Sequence, residues 1–289
     1  MRRLGYDASV PASTSLSASQ ASPVVTRPFR SVRSSSPVFS RVVACLNNNH
    51  EAIAHGDPML AICAVRDAVY HLRHDAHPLA LIVDFVAFAP DDISLLLDAL
   101  RSRAAPTPLA ARFSINREEL AIVLAHAARI GPLHLSARAV EPLDVAIATL
   151  QAGQTPTCAS VPILARMGHV IPAPLFCVVC SAILAGRASV TVHQLATCCG
   201  IPVRTLQDRL QRHSQMAPKS LLMWTRVLHA IWRIEQHGFS IKHATAAGGW
   251  RSTRSLSLWL RHVDPLHTPG SGLPSFTHLI ALLTNALLP

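Results

Sequence analysis

The sequence has no uninterrupted apolar stretch of about 18 residues, the length a membrane-spanning helix needs, so no membrane partner is expected. Arg2 and Arg3 follow the first methionine, but no apolar run comes after them, and a secretory signal is not expected either. Enzyme signatures are missing: there is no Walker A loop, no G-x-G-x-x-G, no G-x-S-x-G and no H-E-x-x-H. Neither catalysis nor a cofactor is therefore expected. The seven cysteines (Cys45, Cys63, Cys158, Cys177, Cys180, Cys198 and Cys199) are odd in number and sit in apolar runs. That disfavours a disulfide framework and suits buried thiols in a reducing cytoplasm. Cys177-x-x-Cys180 has no second C-x-x-C downstream and no βαβ context, so neither zinc nor dithiol chemistry is expected of it. A free buried cysteine behaves as a small hydrophobe. Acids are scarce too, 16 against 26 Lys and Arg, which leaves a net charge of +10.

The chain has 289 residues, half of them hydrophobic, enough for roughly two domains with sizeable cores. Its positive charge is unevenly spread. Residues 1–41 carry six Arg and one Asp, residues 42–152 carry eight Arg against twelve acids, and residues 201–264 carry ten Lys or Arg against three acids. A basic C-terminal half beside an acidic middle implies an anionic partner for that half, and nucleic acid is the commonest one.

Residues 1–38 are rich in Ser, Ala, Pro, Val and Arg with no sustained period, and read as a disordered basic leader. Residues 39–153 alternate between two patterns. RVVACL (41–46), LALIVDFVAF (79–88), PLAARFSI (108–115) and PLHLSARAV (132–140) read as buried strands. Between and after them, 66–76, 91–105, 116–131 and 141–153 read as amphipathic helices, with Asp91, Asp92, Glu118 and Glu119 in first turns where the helix dipole favours them. Such alternation argues a parallel sheet with helices on both faces. Over about 110 residues this segment resembles a response-regulator receiver domain, a flavodoxin-like α/β fold. Asp84 stands at the end of the third strand, where receivers carry the phosphoacceptor, and Ser114 near the end of the fourth, where they carry Ser or Thr. The acidic pair that holds Mg²⁺ after the first strand is replaced by Asn47 and Asn48, and Glu141, not lysine, precedes Pro142. Too few hard oxygen ligands remain for the metal. The resemblance thus implies a receiver-like fold without normal phosphotransfer, with Asp84 as the phosphoacceptor position.

Four prolines within 154–174 mark a linker. From 175 onward the strand signals stop. LFCVVCSAILAGR (175–187) reads as a buried helix. Thr191 caps a second helix, VHQLATCC, which Gly200 ends. Pro202 suits the first position of the next helix, VRTLQDRLQRHS, whose Val203, Leu206 and Leu210 share one face. Two helices joined by a short Gly-containing turn, the second polar and basic, make a helix-turn-helix. The apolar stripe holds the second helix while Arg, Gln and Thr face outward to read base edges in the major groove.

The following residues resemble an AraC/XylS-type DNA-binding domain over about 180–270. Pro218, Leu222, Arg226 and Ala230 fall on that family's P…L…R-L-x-x-A signature, and Ile241, Gly249, Trp250, Ser252 and Leu256 on its second helix-turn-helix. The family has Ser at Pro202, Gly at Gln215 and Ala at Thr245. The Thr245 hydroxyl then needs a partner, for which the carbonyl one turn back is available. The resemblance implies a transcriptional regulator that binds double-stranded DNA through Arg204, Thr205 and Gln207 in the first motif and Arg251, Ser252, Thr253 and Arg254 in the second. Arg212, Lys219 and Arg261 would meet phosphates. The receiver-like domain would be a sensor or a dimerisation module, with a homodimer as a further expectation. The four tryptophans read as packing residues, and THLIALLTNALLP in 271–289 as an apolar packing helix. A protein-interaction module with a decayed DNA-binding half is the competing reading.

Overall fold

Runs of Val, Ile, Leu and Ala too short for helices but apolar on both sides form the strands of a sheet sandwiched between helices. The computed structural model describes residues 41–45, 60–62, 64–74, 79–103, 107–130, 133–151, 159–186, 190–264 and 272–288, all within one compact unit. The leader 1–38, Asn47, Asn48, Cys63, Cys158 and 265–271 lie outside the described residues.

Five strands build the sheet: β1 (Arg41–Cys45), β2 (Leu60–Ile62), β3 (Leu79–Val83), β4 (Leu109–Phe113) and β5 (His134–Ala137). They pair in parallel in the doubly wound order β2-β1-β3-β4-β5. Four of them match the runs read from the sequence. β2 does not, because three residues at a sheet edge are too few for a period to register. Side-chain alternation sorts the two faces. Val43, Leu81, Val83, Leu109 and Ala111 lie in one core with α1 (Val65–His74), α2 (Pro90–Ser102) and α3 (Arg117–Ile130). Val42, Ala44, Ala80, Ile82 and Ala110 lie in the other with Leu143, Ala146, Ile147 and Leu150 of α4 (Leu143–Gln151).

The expected linker is not a bare connection. Residues 160–167 form α5 (Ser160–Met167), with Ile163, Leu164 and Met167 fully buried. Pro162 is its third residue, in the first turn, where a missing N–H has no helical partner to lose. A 3-10 turn (Ala173–Leu175) then leads into α6 (Phe176–Ala185). Arg117 of α3 reaches across, donating to the Gly168 carbonyl at 3.2 Å and to that of Ile171, with its guanidinium 4.8 Å from the Phe176 ring centre. The sheet half and the helical half therefore share one continuous core.

The helical half comprises α6, α7 (Val192–Cys198), α8 (Val203–Ser214), α9 (Pro218–His237), α10 (Ile241–Ala247), α11 (Thr253–Val263) and α12 (Phe276–Leu287). The 20-residue α9 is the spine and packs against all six others. It starts with Pro218 at its first position and ends at Gly238, whose φ of 63° lets the chain turn back. Gly186 after α6 is set by close packing: an added Cβ would lie 2.9 Å from His229 Cδ2 and from Thr225 Cβ on α9. The apolar C-terminal segment is the packing helix expected: α12 seats Phe276 4.8 Å from Trp232 and touches α5, α8 and α9.

Candidate nucleic-acid interface

α7 and α8 meet through the four-residue turn Cys199–Pro202. Thr191 and Gln194 form a reciprocal cap at the start of α7, each side chain satisfying the other's backbone N–H. Gly200, at φ 64°, closes α7, and Ile201 donates back to the Ala196 carbonyl at 3.1 Å. Pro202 is the N-cap of α8 (φ −60°, ψ 150°), one position earlier than the sequence suggests, so α8 begins at Val203. Leu206 and Leu210 are fully buried, and Val203 is partly so. At 100° per residue the face opposite this stripe carries Arg204, Asp208, Gln211 and Arg212, all exposed, with half-buried Thr205 beside them and exposed Gln207 on the flank. The Arg204 side chain is 85% exposed and pairs with Asp208 at 3.4 Å. Gln211 is the outward residue that pattern reading passed over. At the far end of α8, Gln215 takes the left-handed conformation (φ 53°).

The second pair repeats this plan. Ser240 caps α10 by accepting from His243 N, Gly249 (φ 69°) turns the chain, and Ser252 caps α11 by accepting from Ser255 N at 3.2 Å. Ser252, named as a DNA contact, thus has a capping duty; it remains exposed. The hydroxyl of Thr245 donates to the Ile241 carbonyl, the partner it needed. Buried Leu256 and Leu260 lie fifty residues after Leu206 and Leu210. In the same register Arg254 matches Arg204, exposed Leu258 matches Asp208, Arg261 matches Gln211 and His262 matches Arg212. Arg251 and Thr253 are exposed beside the start of α11, and Lys219 is exposed in the first turn of α9. Arg226 does not face outward in this way: it donates to the Val190 carbonyl at 3.2 Å and ties α9 to the entry of α7. The tryptophans pack: Trp224 is buried, Trp232 lies on Phe276, Trp250 abuts Gly248, and Trp259 meets His262 edge-on.

Asp84 occupies a different place, just past β3 at the carboxyl edge of the sheet, where the strand order reverses between β1 and β3. Its N–H donates to the Cys45 carbonyl at 2.9 Å, and Val86 N donates to its Oδ1 at 3.2 Å. Arg138, the residue after β5, pairs with its Oδ2 and donates to Ser114 Oγ at 3.0 Å. Glu119 stands 4.0 Å from Arg138 and accepts from Ser114 N at 2.6 Å. The sequence shows no lysine before Pro142, yet a cation reaches Asp84 all the same, from four residues earlier. Glu141, which replaces that lysine, turns inward instead: its carboxylate meets His134 Nε2 at 2.7 Å, and its carbonyl accepts from Arg112, which also donates to Ser136 Oγ at 2.9 Å.

The cysteines depart from the expectation of uniformly buried thiols. Cys45 and Cys180 are buried, and burial pushes the Cys180 thiol far above its ordinary pKa. Cys177, Cys198 and Cys199 are only half-buried. No helix among the described residues is long and apolar enough to cross a membrane. A search against protein-family models, curated proteins and solved structures returns no match to this chain.

Proposed function

We propose that this chain is a sequence-specific DNA-binding transcriptional regulator of the AraC type, reading double-stranded DNA through two helix-turn-helix units, α7–α8 and α10–α11. The observation that carries the reading is the fifty-residue repeat. Two helices in the same register each bury a leucine pair and turn a basic face outward, and both pairs hang on α9. A buried stripe with an opposite face of Arg, Gln and Thr is what major-groove docking requires. Arg204, Thr205, Arg251, Thr253 and Arg254 lie at or before the helix starts that approach base edges, and Arg212, Lys219 and Arg261 are placed for phosphates. Leu258 offers an apolar contact to a thymine methyl, and Asp208 an acceptor for cytosine N4. The flavodoxin-like sheet half is a receiver-like module, serving as sensor or homodimer contact, in which Arg138 holds Asp84 where a phosphoryl group would otherwise go.

The test is selection of binding sites from a random double-stranded library with the full chain near physiological salt. Enrichment of two half-sites about 10 base pairs apart supports both units reading. Three exposed cations on phosphates would make log K fall against log salt with a slope of about −3. Arg204→Ala should then weaken the preferred site more than random DNA. Salt-sensitive bulk binding with no enrichment would favour instead the protein-interaction reading, for which exposed Phe239, Ile241 and Leu258 supply the apolar surface.

A further inference from the structure

A groove lies between α3 and α5, where the sheet half meets the helical half, and none of its walls belongs to α7, α8, α10 or α11. Arg117, Leu120, Ala121 and Leu124 reach it from one face of α3, at spacings of three and four residues. Leu164 and Ala165 of α5, with Gly168 just past its end, form the other side. Leu120, Leu164 and Phe176 are buried, so the floor is apolar. The space stays open because the residues that could fill it are small. Ala121 and Ala165 are exposed and stop at Cβ, and a Cβ on Gly168 would meet the Leu164 carbonyl oxygen at 2.7 Å. The volume is about 310 Å³, near the lower end of ligand sites in general. A dry cavity of about 150 Å³ takes benzene, so this one suits a molecule of about ten to twelve non-hydrogen atoms. Its charge is one-sided: the charged or titratable side chains in its walls are Arg117 and His169, and no Asp or Glu among the described residues lines it. Arg117 is held in place by two neutral acceptors, the carbonyls of Gly168 and Ile171, and no carboxylate among the described residues pairs with it. Glu119, two residues on, is taken up by Ser114 N and Arg138. The guanidinium thus brings a fixed, uncompensated positive charge to an apolar floor.

We propose that this groove binds a small amphipathic monocarboxylate, with its apolar body on Leu120, Leu124, Leu164 and Phe176 and its carboxylate on Arg117. A guanidinium presents its N–H groups in a planar fork that matches a carboxylate, and the two carbonyls leave part of that fork unused. An uncharged apolar molecule would leave the cation unanswered. A phosphate monoester would bring two negative charges to one permanent cation, and the aliphatic floor has no donors for its remaining oxygens. One fixed cation beside an apolar floor therefore selects a single negative charge on an apolar body. The ligand would touch α3 and α5 together and clasp the sheet half to the helical half. On the regulator reading proposed above this is the input of the sensor, and the binding itself needs no DNA.

The experiment titrates the full chain with octanoate, which has the size and the single charge required, and with 1-octanol as its neutral counterpart. Calorimetry should find one saturable octanoate site per chain, with a Kd of about 0.1–1 mM for a ligand this small. At tenfold that concentration the melting temperature should rise by about 2–4 °C. Octanol should bind at least about tenfold more weakly, and Arg117→Gln should remove the difference between the two probes. Arg117 also ties α3 to the segment after α5, so a second variant guards against a folding defect. Ala121→Leu sits at an exposed helical position, keeps a good helix former and fills the groove, and it should abolish octanoate binding while the ligand-free melting temperature stays near wild type. No saturable octanoate binding, octanol binding as tightly as octanoate, or unchanged binding by Ala121→Leu would overturn the proposal. So would self-association in sedimentation that Ala121→Leu abolishes and octanoate leaves unchanged, which would make the groove a contact between copies of the chain. No DNA enters the readout, so failure here and failure of the DNA reading are told apart.

Discussion

Replacing Arg138 should destabilise the protein more than replacing Asp84, although the two side chains form one ion pair. The reason is unequal burial. The Asp84 side chain is 4% exposed and that of Arg138 is 30% exposed. Arg138→Gln leaves a carboxylate in the sheet edge with one backbone N–H, from Val86, and little access to water. Stranding one member of a buried pair costs about 3–5 kcal/mol, and the partial exposure of this site argues for the lower end, about 3 kcal/mol. Asp84→Asn removes the charge but keeps an acceptor for Val86 N and for Arg138. The guanidinium retains Ser114 Oγ at 3.0 Å, Glu119 at 4.0 Å and solvent. The loss is then that of one charge-assisted hydrogen bond, about 1–2 kcal/mol. With a urea m-value of about 3 kcal/mol/M, the midpoint should fall by about 1 M for Arg138→Gln and by about half that or less for Asp84→Asn. Equilibrium urea unfolding followed by circular dichroism measures both. Equal shifts, or a larger one for Asp84→Asn, would refute the idea that Arg138 is there to neutralise a buried acid.

Gln215→Gly should raise stability by about 1 kcal/mol, because the left-handed backbone at φ 53° burdens a residue with a Cβ; calorimetry should find the melting temperature about 2–4 °C higher. Gly186→Ala should cost about 1–3 kcal/mol, since its Cβ would meet His229 and Thr225 at 2.9 Å, and a wild-type melting temperature would show that α6 and α9 can move apart. Leu206→Ala should cost about 2–5 kcal/mol through the cavity left under α8, read in the same unfolding assay. His126 has its pKa lowered, first by burial and then by Arg129, so the unfolded chain binds a proton more readily than the folded one. Stability must therefore fall as pH drops below 6.5, and His126→Phe should flatten that slope between pH 7 and 5, as melting temperatures across that range would show.

Periodic features were legible from the residues alone. Alternating aliphatic runs and amphipathic segments mark four strands and the helices between them, because burial on one or two faces imposes a period on the sequence. The capping residues Thr191 and Gly200 and the leucine pair of α8 are equally local, and the partner of Thr245 lies one turn back on its own helix. Tertiary structure decided whatever depends on which elements become neighbours. Asp84 and Arg138 are 54 positions apart and meet only because β3, β4 and β5 lie side by side. Pro162 reads as a breaker until its place in the first turn of α5 makes it harmless. A single chain shows its own periods and caps because those are set by backbone geometry within a few residues. Pairings across elements depend on packing that the order of residues does not encode locally, and in this protein the charge of the sheet edge was decided there.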